Sequence, residues 1–379
     1  MNRRSLLATP LAMMLAGPAF AQKANRTRWK VSASEGLDAV AFMGPLTGSE
    51  FYARYYGGEL AAFKPKMPEA AMKALASLQA DTEARGGLLW PSLALVLSGG
   101  PYATIDDLLA SMAGADRVLK PPFQASVYWD QADWDRFLNE RERVAVVLSA
   151  MRDAGFAGFR RGYAQAAIDK RMGELKTFLP TLDVVSEQER LLGRRLQPLI
   201  EIDLLWFCRP HGVKVQGQRF LSHVNAPDRI VVLTAAHEML HPPIKMDGEA
   251  ALACLAVLGQ DPLFSKILAE KDKATGYNSL DGILDEDTAQ ALDQIIQERL
   301  GYGRPPAERW GQNDQGMHVL AAGLYGLFKA DGYDRRGGNL EAWMLAAAKG
   351  GKLAPASLHA AAGEVLGKPA DQLWVTPKA

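Results

Sequence analysis

The residues best able to do chemistry stand together in "LTAAHEMLHPPIKM" (233–246). His237-Glu238-Met239-Leu240-His241 has the spacing H-E-x-x-H. On a helix, residues four apart stack on one face, so both imidazoles can share one metal ion. Glu238 lies about 100° round the helix from His237. There it is poorly placed as a third ligand but well placed to take a proton from a water at an open coordination position. The predicted chemistry is hydrolysis assisted by one Zn2+, with Glu238 as general base.

The elements that must position these residues are legible in outline. After Pro227, Ile230, Leu233, Thr234, His237, Leu240 and His241 recur at helical spacing, and Pro242-Pro243 ends that helix. Before it, "LIEIDLLWFC" (199–208) and "HGVKVQGQRFLSHV" (211–224) alternate polar and apolar residues as strands do. A hairpin through Pro210-His211-Gly212 is predicted to join them. Residues 48–63, 68–84 and 131–155 carry helical stripes, and Ser186-x-x-Glu189 reads as a capping box. Helices are also predicted over 247–259, 285–300, 314–330, 339–349 and 355–366. No alternating series of strands and helices supports a doubly wound parallel sheet. The fold class expected is α+β, predominantly α. Residues 22–197 form a helical N-terminal part, 198–245 a small β region plus the motif helix, and 246–379 a helical C-terminal part.

With the motif, its helix and the preceding strands in place, the segment resembles the zincin metallopeptidases. The resemblance covers His237, Glu238, His241 and the strand-then-helix context. It implies a zinc-dependent hydrolase of peptide or protein substrates, His237 and His241 as ligands, Glu238 as base, and an edge strand near 213–224 that holds an extended peptide by strand addition. The extension HExxHxxGxxH is not present, because Ile244 and Asp247 stand where Gly and His would be. A Glu roughly twenty residues after the second His is also missing, since "GQDPLF" occupies that region.

The third ligand is therefore sought further on, in "SLDGILDEDTAQALDQIIQERLG" (279–301). Ala289, Leu292, Ile295, Ile296 and Leu300 mark an apolar face, and Asp285 and Glu286 are read as the start of that helix. Asp285 suits the N-cap. Glu286 is then the expected ligand, and the segment is similar to the helix that supplies a distal glutamate in gluzincin-like proteins. Glu249, Asp247 and Asp285 are its rivals. His318, in "QGMHVLAAGLYGLF", is the expected hydrogen-bond donor to the transition state, with Tyr302 and Tyr325 as alternatives. His211 and His223 are alternative ligands without a helical spacing partner, and His359 is assigned to the surface.

Composition sets the outer bounds. The chain has 379 residues, 48% hydrophobic and 23% charged, with 43 basic and 43 acidic side chains. That balance argues against a nucleic-acid-binding protein. The N-terminus reads as an export signal: Arg3-Arg4, an apolar run from Leu6 to Ala16, then Ala19-Phe20-Ala21 as the cleavage site. The arginine pair resembles a twin-arginine signal, and an ordinary secretory signal is the alternative. A periplasmic or secreted location is expected, without a membrane span. Cys208 and Cys254 read as buried free thiols, with a disulfide as the alternative, and neither has the spacing of a cysteine zinc site. Two other functions fit the same residues: a binding or structural protein keeping a relic of the motif, and a zinc hydrolase of non-peptide amides or esters.

Overall fold

A computed structural model describes residues 25–210, 212–272 and 277–376. The expected export signal and His211 lie outside the described residues. The architecture is α+β and predominantly α: helices surround a four-stranded sheet of order β1-β2-β4-β3. Its strands are β1 (Arg28–Ala33), β2 (Leu199–Leu205), β3 (Val213–Val215) and β4 (Arg219–His223). Among the described residues, no single helix is long and apolar enough to cross a membrane.

The sheet corrects two expectations. The N-terminal part is not all helical, because β1 pairs in parallel with β2, Val31 opposite Ile202. Six residues with one polar flank carry little period-2 signal, and their partner lies far along the chain. The hairpin is also displaced. β2 runs parallel to β4, and the antiparallel neighbours are β3 and β4, joined through Gln216-Gly217-Gln218. Gly217 takes φ 73°, a turn conformation that glycine adopts without a Cβ clash.

Alternation along the strands divides the interior. Ile200, Ile202, Leu204 and Phe220 join one core with the motif helix (Asp228–Glu238) and the C-terminal helices. Leu205, Phe207, Val215 and Leu221 join a second core with the helices between Glu35 and Asp153. Side chains of period 2 thus face both ways, and the sheet is the middle of three layers. Cys208 and Cys254 are free and buried, one in each core.

One contact ties the helical framework to the site. The helix Val184–Leu192 is capped at its start by Asp183, whose side chain accepts from Ser186 N, so Ser186 is capped rather than capping. It ends at Gly193, φ 68°, where an added Cβ would stand 2.5 Å from Gly338 O. Gly193→Ala is expected to cost about 1–3 kcal/mol through left-handed strain and this clash. The denaturant midpoint measures it, and an unchanged midpoint would count against so tight a packing. The next residue, Arg194, reaches the loop after the motif helix and donates to Pro242 O.

Candidate metal centre

The motif helix stops earlier than its periodicity predicts. It ends at Glu238, and Leu240 N donates to His237 O at 2.9 Å in a tightened last turn. Pro242 explains this, since a residue before proline is pushed out of the α region and proline offers no N–H. His241 therefore stands beyond the helix, and helical spacing does not place it. Tertiary contacts do. Lys214 Nζ donates to His241 O at 3.0 Å, and Arg194 Nη2 donates to Pro242 O at 2.8 Å. His241 Nδ1 donates to Asp285 Oδ2 at 3.2 Å. The two rings still meet, at 4.7 Å between centroids and 75° between planes.

The acidic helix runs Leu280–Leu300 and is capped by Ser279, whose side chain accepts from Gly282 N. Asp285 is thus inside the helix and free to serve His241, not a cap as expected. Glu286, Gln290, Asp293 and Gln297 recur at helical spacing, and all are buried. Glu286 Oε2 lies 3.5 Å from His237 Nε2 and 3.5 Å from His241 Nε2. Asp293 Oδ2 accepts from His237 Nδ1 at 2.7 Å. Asp293 is held in turn by Arg309 Nη2 at 2.9 Å and by Gln297 Nε2 at 2.7 Å.

These contacts fix the Nδ1 protons. A carboxylate accepts only, so each Nδ1 donates to its carboxylate, and the two Nε2 atoms are left to share a cation, either a proton or a metal ion. The two Nε2 atoms face each other at 3.0 Å with Glu286 beside them. His237, His241 and Glu286 form a group that can hold a metal ion, their donor atoms all within 4.8 Å of one another.

The surrounding charges favour a cation there. Burial alone would lower the His237 pKa, but Glu286 and Asp293 override it and hold it well above the ordinary histidine value. Burial works against the Glu286 carboxylate as well, yet the imidazoles and Gln290 keep its pKa below the usual range. Burial opposes charge on Asp293 too, and Arg309 reverses the effect. For Glu238 burial prevails over the facing imidazoles, and its pKa is raised. Lys214, also desolvated, is brought down to about 8 despite Glu238 and Asp285 nearby.

Glu238 lies at the junction of a cleft with two lobes. The first, about 670 Å³, is lined by Val127, Tyr128, Glu238, His241, Pro242, Met246, Tyr277, Asp285 and Glu286, among others. The second, about 390 Å³, shares Tyr128 and Glu238 and adds Leu88, Pro91, Leu95, Val213 and Lys214. Tyr277 donates its hydroxyl to Glu286.

The other residues singled out in the sequence fall elsewhere. His318 is wholly buried, with Nδ1 2.6 Å from Asp287 Oδ1 and Nε2 3.0 Å from Asp314 Oδ2. Burial would lower its pKa, but Asp287 pushes it up to about 10. It stands beside Gln290, which donates to Glu286 Oε1 at 2.9 Å. Tyr325 donates to Glu298, and Tyr302 packs on Phe178. Glu249 is exposed and pairs with Lys349, while Asp247, exposed and paired with Lys245, lines the first lobe without joining the ligand group. His223 packs on Trp206, and His359 bonds Asp261. Sequence reasoning missed Asp293, Tyr128, Tyr277 and Lys214. Only Asp293 carried a signal, as part of the polar stripe 286, 290, 293, 297 on a helix otherwise read for its apolar face.

No protein-family model, no curated protein and no solved structure matches the chain.

Proposed function

We propose that the protein is a zinc-dependent hydrolase of peptide bonds, with His237, His241 and Glu286 holding one Zn2+ and Glu238 acting as general base. The observation that carries this is the pair of Nε2 lone pairs aimed at each other beside a buried carboxylate. Two nitrogens at that separation need a cation between them, a proton or a metal ion, and the buried carboxylates around them favour either. The spacing also suits zinc: tetrahedral ligands at about 2.0–2.1 Å lie roughly 3.3–3.4 Å apart. The three separations here are 3.0, 3.5 and 3.5 Å. The Nδ1 contacts to Asp293 and Asp285 are the outer carboxylates that usually fix metal-binding histidines.

Zinc in this seat would acidify a water and polarise a carbonyl. The chain's residues supply the rest. Glu238 takes the proton of the attacking water as oxygen bonds to the carbonyl carbon. It returns that proton to the nitrogen as the C–N bond breaks, and the water's second proton follows, so a carboxylate and an ammonium leave. Tyr277 and Tyr128 bring hydroxyls to the cleft, and Gln290, whose Oε1 accepts from Trp310 Nε1, orients Glu286. Among the described residues β3 pairs with β4 on one side only and is an edge strand, so its other side suits an extended peptide.

Metal analysis tests the proposal. Wild-type protein supplied with zinc is expected to hold about one ion per chain, and His237→Ala to hold none while still folding. Wild-type protein that binds no zinc would sink the idea.

A further inference from the structure

The second lobe of the cleft holds no metal ligand, yet it holds a cation. Lys214 projects from β3 into it, next to Glu238. Among the described residues its ammonium makes one hydrogen bond, to His241 O at 3.0 Å, and no ion pair. An ammonium has three donors, so part of its capacity is unspent. It stands 5.7 Å from the Tyr128 ring centre. The other cleft lysine, Lys245, is 70% exposed and paired with Asp247.

We infer that Lys214 is the substrate's anchor: it binds the carboxylate of an apolar C-terminal residue seated in the second lobe. This rests on the hydrolase reading of the neighbouring metal centre and names its substrate class. The lining supports it, because Leu88, Pro91, Leu95 and Val213 offer apolar contact around a single cation. Leu88 is 46% exposed, a large apolar side chain with open surface to cover. A carboxylate drawn out of water beside this lysine is held more strongly than at an open surface. The metal ligands His241 and Glu286 line only the first lobe. Lys214 therefore reaches a part of the substrate beyond the reacting carbonyl rather than its oxyanion. About 390 Å³ lies near the small end of ligand cavities, which run about 300–1,000 Å³. A terminal residue suits it better than a continuing chain.

The test uses zinc-loaded full-length protein and one peptide ending in phenylalanine, as free acid and as amide. A third peptide is the amide with glutamate before the phenylalanine. A charge-assisted contact predicts the free acid to be preferred in kcat/KM by roughly ten- to a hundred-fold. Lys214→Met, reloaded with zinc to wild-type content because Lys214 also holds His241 O, should erase that preference through KM, and Lys214→Arg should keep most of it. Equal rates for acid and amide in the wild type overturn the inference. So does a preference for the glutamate peptide, or a zinc-loaded Lys214→Met that keeps the acid preference. Calorimetry with N-acetylphenylalanine and its amide separates the two readings without turnover. Tighter binding of the acid in wild type alone supports Lys214 even if no peptide is cut. Cleavage with equal binding of acid and amide overturns Lys214 and leaves the hydrolase standing.

Discussion

Glu238→Gln is expected to keep zinc at the wild-type stoichiometry and to lower kcat by about a hundred- to ten-thousand-fold, the usual worth of a general base. Glutamine has nearly the same shape and keeps a carbonyl oxygen towards the cleft, but it cannot take the proton of water. Glu238 is not among the residues that can hold the ion, so stoichiometry should not change. Stability should not fall either. Burial raises the Glu238 pKa, which means the folded protein resists its charge. A neutral amide removes that cost, and the thermal midpoint is expected to stay level or rise. Paired measurements of zinc content, melting temperature and peptide hydrolysis decide the matter. Activity within tenfold of wild type would remove Glu238 from the mechanism.

The second large effect falls on Asp293→Asn. Asp293 is wholly buried and shared between His237 and Arg309. Removing its charge leaves Arg309 buried without its counter-ion, an error that costs about 3–5 kcal/mol. It also weakens the hold on the His237 ring, because the single amide oxygen cannot serve the His237 side and the Gln297 side of the old carboxylate together. Loss of such an outer carboxylate weakens metal binding by about ten- to a hundred-fold. The double variant Asp293→Leu with Arg309→Met separates these effects. Replacing both ions with apolar residues should restore stability, because no unpaired charge remains, while zinc affinity stays weak. Denaturant titration and chelator competition read the two quantities independently. Wild-type zinc affinity in Asp293→Asn would show that the carboxylate serves Arg309 alone.

Asp293 sits on the acidic helix, and that helix shows how far the sequence can be read. Its apolar side is plain from Ala289, Leu292, Ile295 and Ile296, which are buried. Its start lies more than a turn before the expected one, because Asp285 resembles a cap as well as Ser279 does. The difference changes chemistry: Asp285, not needed as a cap, faces His241. His237 and Asp293 are 56 residues apart, and nothing in the local pattern joins them. Likewise His318 stands out in the sequence as a lone histidine on an apolar run. Its burial against Asp287 and Asp314 depends on how two helices pack.

What the sequence determined by itself is what repeats locally. Helical periodicity marks the long helices, alternation marks β2 and β4, and H-E-x-x-H places a histidine pair and a carboxylate within one short segment. The distant Glu286 was a candidate too, because it borders the apolar face marked by Ala289, Leu292 and Ile296. Tertiary structure alone decided the rest. Pro242 takes His241 off its helix, so Lys214, Arg194 and Asp285 bring its ring to within 3.0 Å of His237. β1 joins the sheet through a partner far along the chain, Val31 with Ile202. The physical reason is common to all of them. Periodicity records which side of an element faces the core, but not which residues of another element it will meet there.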